Sequence, residues 1–242
     1  MIANQCKQLT HLDLSFCPIT DDNIHIFNGQ LFQLLGKFVY LIRLKVELVF
    51  TEVENDENFN NYINSHYGSI QSLKSCQNLK YLSISGPKLT DNHLKDINLY
   101  LPQLKSITIK WNTGITDQTL SYFAKMKNLF KVVIKELRNP FLLEEEHHFN
   151  ITDGSVVELL NSCPNIHNIK FKCFTKLTEL SIDLFLSIAN KNPKIYYNFF
   201  IISINKMKTY EESYGVENSL QIPKNLSLEL NYISFWETFK YN

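Results

Sequence analysis

Glycine is scarce in this chain, with 7 in 242 residues, and that scarcity leaves little material for a phosphate-cradling loop. Cysteine is also thin. The five cysteines, Cys6, Cys17, Cys76, Cys163 and Cys173, are odd in number and include no C-x-x-C pair, so neither a disulfide framework nor a zinc site is signalled. No H-E-x-x-H helix and no G-x-S-x-G elbow occurs. The run Glu144-Glu145-Glu146-His147-His148 is dense in metal-ligating types, but consecutive residues rarely converge on one ion, and it reads as a solvated loop. Catalytic, cofactor-binding and metal-binding residues are therefore not expected. An excess of charge is missing too: Lys plus Arg and Asp plus Glu are 24 each, which makes no global case for nucleic acid or an anionic membrane. No apolar run approaches the roughly 18 residues of a membrane span, and Met1 to Lys7 lack the basic start and apolar core of a signal peptide. These absences predict a cytoplasmic or nuclear protein. In that setting the sequons at Asn150 and Asn225 read as chance.

What the chain does have is a repeat. In Cys76 to Leu94, the residues Leu79, Leu82 and Ile84 follow an L-x-x-L-x-L spacing that suits a short strand, and Leu89-Thr90-Asp91 opens a helical pattern through Leu94 and Ile97. Laid along the sequence, this leucine-rich template places the first leucine of each copy at Leu9, Leu41, Leu79, Leu104, Leu129, Ile166 and Ile195. The intervals are 32, 38, 25, 25, 37 and 29 residues. The two of 25 are the undecorated unit, and the longer ones carry loops: a polar insertion near 52–61 and another near 138–150. Helices are expected from Asp21 towards Leu35 and from Tyr62 to Leu73.

The recurrent Thr-Asp at Thr20, Thr90, Thr116 and Thr152 has a local explanation. The hydroxyl can cap the free N–H groups of a helix start, while the acid favours the positive end of the helix dipole. Pro102, Pro164 and Pro193 suit the turn from helix to strand. One strand-turn-helix unit cannot bury its own apolar face, so the units stack. The fold class is α/β: a right-handed leucine-rich-repeat solenoid, or horseshoe, with a parallel sheet on the concave face and helices on the convex face. Residues 1–205 are the array of about seven irregular repeats, and 206–242 a C-terminal cap or tail. Within that tail, Leu226 to Ile233 alternates like one more strand, and Phe235, Trp236 and Phe239 could cover an end. Almost nothing precedes Cys6, so the first strand is expected to be an uncovered edge, completed by further upstream sequence or another subunit.

Cys before the strand, L-x-x-L-x-L, and Ile/Leu-Thr-Asp before the helix, most fully combined in Cys6 to Asp21, resemble the cysteine-containing, ribonuclease-inhibitor-like repeats of F-box/LRR substrate receptors. The resemblance covers roughly residues 6 to 205. It implies a protein-recruiting role in a cullin ubiquitin ligase and no catalytic residues; no segment for the F-box itself is present.

Strand residues between the inward leucines should face the concave side. They are His11, Asp13, Ser15; Arg43, Lys45, Glu47; Tyr81, Ser83, Ser85; Ser106, Thr108, Lys110; Lys131, Val133, Lys135; Asn168, Lys170, Lys172; and Tyr197, Phe199, Ile201. Seven are basic and two acidic, so a face of net charge +5 lies in a neutral chain. The expected partner-binding residues are Arg43, Lys45, Tyr81, Lys110, Lys131, Lys135, Lys170 and Lys172. They would take an acidic or phosphorylated protein segment; a lysine-rich solvated sheet is the competing reading. Tyr197, Phe199 and Ile201 would end this face with an apolar patch, either an interface anchor or a surface under the C-terminal tail. The function expected is a non-enzymatic interaction scaffold, with neither nucleic acid nor membrane as partner. The alternative is a regulator of an enzyme, a GTPase activator or nuclease-inhibitor-like protein, in which Arg138 is the candidate activating arginine.

Overall fold

A computed structural model describes residues 6–16, 30–48, 70–85, 89–112, 114–136, 151–175, 177–203 and 223–232. Strands and short helices alternate along them. The strands are β1 (His11–Phe16), β2 (Arg43–Leu48), β3 (Tyr81–Ser85), β4 (Ser106–Asn112), β5 (Lys131–Glu136), β6 (Asn168–Thr175), β7 (Tyr197–Ser203) and β8 (Leu226–Tyr232). Between them lie α1 (Gln30–Leu35), a 3-10 turn (Ile70–Ser75), α2 (Asp91–Leu94), α3 (Ile97–Tyr100), α4 (Asp117–Ala124), α5 (Asp153–Ser162) and α6 (Glu179–Lys191). The strands make one open sheet in sequence order, with every neighbouring pair parallel. This is the α/β leucine-rich-repeat solenoid that the template predicts. The expected helix starts near Asp21 and Tyr62, the two insertions, Arg138, the Glu144–His148 run and the aromatic residues after Ile233 lie outside the described residues.

Register explains the core. Leu12, Leu44, Leu82, Ile107, Val132 and Ile169 stand in one row across the sheet, and Leu14, Val46, Ile84, Ile109, Ile134 and Phe171 in the next. From β2 to β6 these residues are buried, each contributing about 1.5–3 kcal/mol from removal of apolar area from water. Leu9, Leu12 and Leu14 of the first copy are only partly buried. A repeat seals its core by stacking on both sides, and among the described residues β1 has one strand neighbour.

The Thr-Asp pairs do more than cap their own helices. The hydroxyls of Thr116 and Thr178 accept from the N–H of Gln118 and Leu180, as a helix N-cap should. Each aspartate, however, turns to the next repeat. Asp91 accepts from the N–H and hydroxyl of Thr116 at 3.0 and 2.6 Å, Asp117 from those of Thr152 at 2.8 Å each, and Asp153 from those of Thr178 at 3.0 and 2.6 Å. A ladder of carboxylates therefore ties α2, α4, α5 and α6 together. At its N-terminal end, His93 takes the corresponding role locally: the Thr90 N–H donates to His93 Nδ1 at 3.2 Å.

Two expectations need correction. The helical pattern from Asp91 through Ile97 is not one helix; it breaks at Asp96, which takes a left-handed φ of 58° between α2 and α3, a conformation that Asp tolerates better than most residues. The seventh copy is also misaligned. Ile195 makes the same turn as Leu129 or Ile166, its N–H donating to Asn192 O at 3.0 Å. In the other copies the residue in the row of Leu12 and Ile169 follows this position by three residues, whereas here it follows by four: Phe199 pairs with Ile169, and Ile201 with Phe171. One extra residue inverts the alternation of a strand. Tyr197 and Phe199 therefore sit in the core, at 2% and 0% exposure, with Phe199 stacked on Phe185 at 4.2 Å between centroids. They do not form an apolar patch on the concave face.

β8 extends the same sheet beyond the seventh copy, with Leu226, Leu228 and Leu230 in the rows of Tyr197, Phe199 and Ile201. The Asn225 side chain locks the turn before it, donating to Ala189 O, Asn192 O and Ile195 O at 3.0, 3.2 and 2.9 Å. Cys163 Sγ does the same two repeats earlier, lying 3.4 to 3.6 Å from the carbonyls of Phe123, Ala124 and Met126.

Candidate protein-interaction face

The concave face is a grid with three levels. Strand register places Arg43, Tyr81, Ser106, Lys131, Asn168 and Asn198 on the first, and Asp13, Lys45, Ser83, Thr108, Val133, Lys170 and Phe200 on the second. On the third, Ser15 pairs with Glu47, and Ser85, Lys110, Lys135 and Lys172 follow one another across β3 to β6. Levels are about 6.6 Å apart along the strands and columns about 4.8 Å apart across them.

Every one of the eight residues picked from sequence occupies a position on this grid, but they fall into two electrostatic groups. Towards β1 the cations are already engaged. Lys45 Nζ lies 3.1 Å from Asp13 Oδ2 and 3.1 Å from Glu47 Oε2, and Lys110 bonds the other oxygen of Glu47. Hydrogen bonds to Asp13 and Glu47 hold the Lys45 ammonium above its ordinary pKa. Burial pushes the Glu47 carboxyl up, yet the bonds from Lys110 and Lys45 outweigh it and leave the group below its ordinary value. Arg43 lies over the Tyr81 ring, 4.9 Å from its centroid. From β1 to β4 the grid holds Arg43, Lys45 and Lys110 against Asp13 and Glu47, a net charge of +1.

Towards β6 the balance is different. The concave positions of β5 and β6 are Lys131, Val133, Lys135, Asn168, Lys170 and Lys172, with a net charge of +4 and no acid. Lys131 and Lys170 are half-buried and make no ion pair among the described residues. Val133, between the lysines, is 4% exposed. Asn168, beside Lys131, has a side-chain oxygen that is buried without a hydrogen-bond partner. Sequence reasoning counted the positive charge correctly but could not see that it is concentrated, because which acid neutralises which lysine depends on strand register. Phe200, beside Lys170, was missed through the inverted seventh strand.

Burial pushes the Cys76 and Cys163 thiols up to about 11, far from the thiolate a nucleophile needs. Among the described residues no group of three or more His, Cys, Asp or Glu could hold a metal ion, and no helix is long and apolar enough to cross a membrane.

Comparison with known families agrees with this architecture. A family model described as leucine-rich repeat matches residues 5–22, which include β1. A comparison with curated proteins found no match. Leucine-rich repeats typically serve as modules that bind other proteins through an extended concave surface.

Proposed function

We propose that the chain is a non-enzymatic interaction scaffold that holds an acidic or phosphorylated segment of a protein partner on its concave face. Its role would be that of a target-recruiting subunit, as in the F-box/LRR receptors of cullin ubiquitin ligases that its repeats resemble. The observation that supports this reading is the pair Lys131 and Lys170, half-buried at concave positions of β5 and β6 and in no ion pair among the described residues. Positive charge concentrated on one region of an otherwise neutral chain steers an oppositely charged partner and fixes its orientation.

The ligase role is tested by affinity purification of the tagged chain from cells, with immunodetection of cullin and adaptor subunits. Their enrichment supports recruitment, and their absence at an expression level that yields other specific partners removes it. The binding role is tested on those same partners by the quadruple reversal of Lys131, Lys135, Lys170 and Lys172 to Glu. Unchanged capture by the reversed chain would sink the concave-face reading.

A further inference from the structure

We infer that Lys131 and Lys170 together hold one anionic side chain of a partner segment, a carboxylate or a phosphoryl group, and that an apolar side chain two residues from it packs on Phe200. This rests on the reading of the concave face as a binding surface and specifies where on it the partner docks and through which pair of residues. Lys131 on the first level of β5 and Lys170 on the second level of β6 are diagonal neighbours, about 8 Å apart by the spacing of strands and levels. Each ammonium ends a flexible four-carbon stem, so the two can converge on a single anion between them. Neither makes an ion pair among the described residues, and their grid neighbours Ser106, Val133, Asn168 and Phe200 bring no acid. Both positions precede the register shift of β6, which falls between Phe171 and Phe174.

Two further observations define the occupant as a peptide. Asn168, beside Lys131, keeps a buried side-chain oxygen without a donor. A buried acceptor left unmet costs free energy, and an N–H of the bound segment removes that cost once the amide turns towards it. Phe200 is half-buried on β7 in the row of Lys170. A point midway between β5 and β6 lies one and a half strand spacings, about 7 Å, from β7, close to the ~6.6 Å step between alternate residues of an extended chain. A segment that crosses the strands with an anionic and an apolar residue at alternate positions therefore meets the lysine pair and Phe200 at once. Towards β1 the cations are already engaged, Lys45 and Lys110 by Asp13 and Glu47, and Arg43 over the Tyr81 ring, so an anion there would have to displace a partner already in place.

The test uses the full chain at low ionic strength and fluorescently labelled peptides read by anisotropy. The reference probe is Ser-Glu-Ser-Leu-Ser; the others replace Glu by Gln, replace Glu by phosphoserine, replace Leu by Ser, or move Leu next to Glu. The better of the two anionic probes should bind about fivefold or more tighter than the Gln probe, and its identity names the anion. Losing or moving Leu should weaken binding about threefold. Lys131→Met and Lys170→Met, which keep the apolar stem, should each remove most of the preference over Gln, and Phe200→Ala the preference for Leu. Lys74→Ala, which removes an exposed cation of the 3-10 turn, should change binding less than about twofold. Equal binding of the anionic and Gln probes, a preference that survives either lysine variant, or indifference to the position of Leu overturns the inference. A display library of random peptides selected on the immobilised chain separates its failure from that of the broader reading. Selected peptides that depend on other concave residues, yet not on Lys131 and Lys170, remove the inference and leave the scaffold standing. Selected peptides insensitive to every concave substitution remove both.

Discussion

The carboxylate of Asp117 receives both the backbone N–H and the hydroxyl of Thr152 at 2.8 Å, although the two residues belong to consecutive repeats. A residue that reads in sequence as a helix-dipole partner is thus also an inter-repeat tie. Removing one partner of such a pair strands the other in a half-buried site, so Asp117→Ala should cost about 1.5–3 kcal/mol, the range for hydrogen bonds to a charged group. Thr152→Ser should cost much less, because it retains the hydroxyl. Urea denaturation of the two variants checks the contrast, and equal losses would mean that the ladder contributes nothing beyond the cap.

The ladder also marks the limit of what the sequence discloses. Leu79, Leu82 and Ile84 announce a strand because apolar spacing is a local property, and the pairing of like rows across six repeats follows from it. The partner of Asp117 does not, since 35 residues separate it from Thr152 and only stacking brings them together. The same holds for the concave face. Alternation put Lys45 and Lys131 on one surface, but whether each is neutralised depends on neighbours one strand away: Asp13 for Lys45, Asn168 for Lys131.

Gly36 is a position where close backbone approach excludes a side chain. A Cβ built there would lie 2.2 Å from the carbonyl oxygen of Ser72 in the 3-10 turn, and that backbone cannot swing away as a flexible side chain could. Gly36→Ala should therefore destabilise by about 1–3 kcal/mol, the cost of overpacking, despite the gain in helix propensity at the end of α1. A rise in melting temperature would show that the α1 and 3-10 segments are not held at this distance.

Thiol chemistry should sort the cysteines by burial. At about pH 8 a thiol whose pKa is near 11 is almost wholly protonated, and a buried one is also closed to the reagent. Iodoacetamide followed by peptide mass spectrometry should therefore modify Cys6, which is exposed, and spare Cys76 and Cys163 until the chain is unfolded. Rapid native labelling of Cys163 would contradict its place against three carbonyls of the preceding repeat.

His93 gives stability a pH dependence of predictable sign. Burial holds its imidazole below the ordinary value of 6.5, and Nδ1 must be unprotonated to accept the Thr90 N–H. The unfolded chain consequently binds the proton first. The contribution of this contact is present above the ordinary pKa and is lost as pH falls through the lower folded value. His93→Gln can accept the same N–H without titrating, as glutamine does in a capping box. The stability difference between the wild type and this variant should shift in favour of the variant as pH drops from about 7.5 to about 5. A difference that stays constant with pH would remove His93 as the titrating group.

The inverted alternation of β7 makes the sharpest distinction between two adjacent, chemically identical side chains. Phe199 is fully buried and stacked on Phe185 of α6, while Phe200 is half-buried on the level of Lys170. An aspartate at position 199 would place a charge in the core between α6 and the sheet, where it can neither be solvated nor paired, so Phe199→Asp should abolish folding or drive the chain into aggregates. Phe200→Asp should leave a folded chain, with the local positive charge of the concave face partly cancelled and weaker binding of acidic peptides. The template read from sequence makes the opposite assignment, with Phe199 concave and Phe200 inward. Circular dichroism and size-exclusion chromatography of the two variants decide between the registers. If Phe200→Asp unfolds and Phe199→Asp does not, the extra residue after Ile195 is not where the strand inverts, and Phe200 cannot lie beside the lysines.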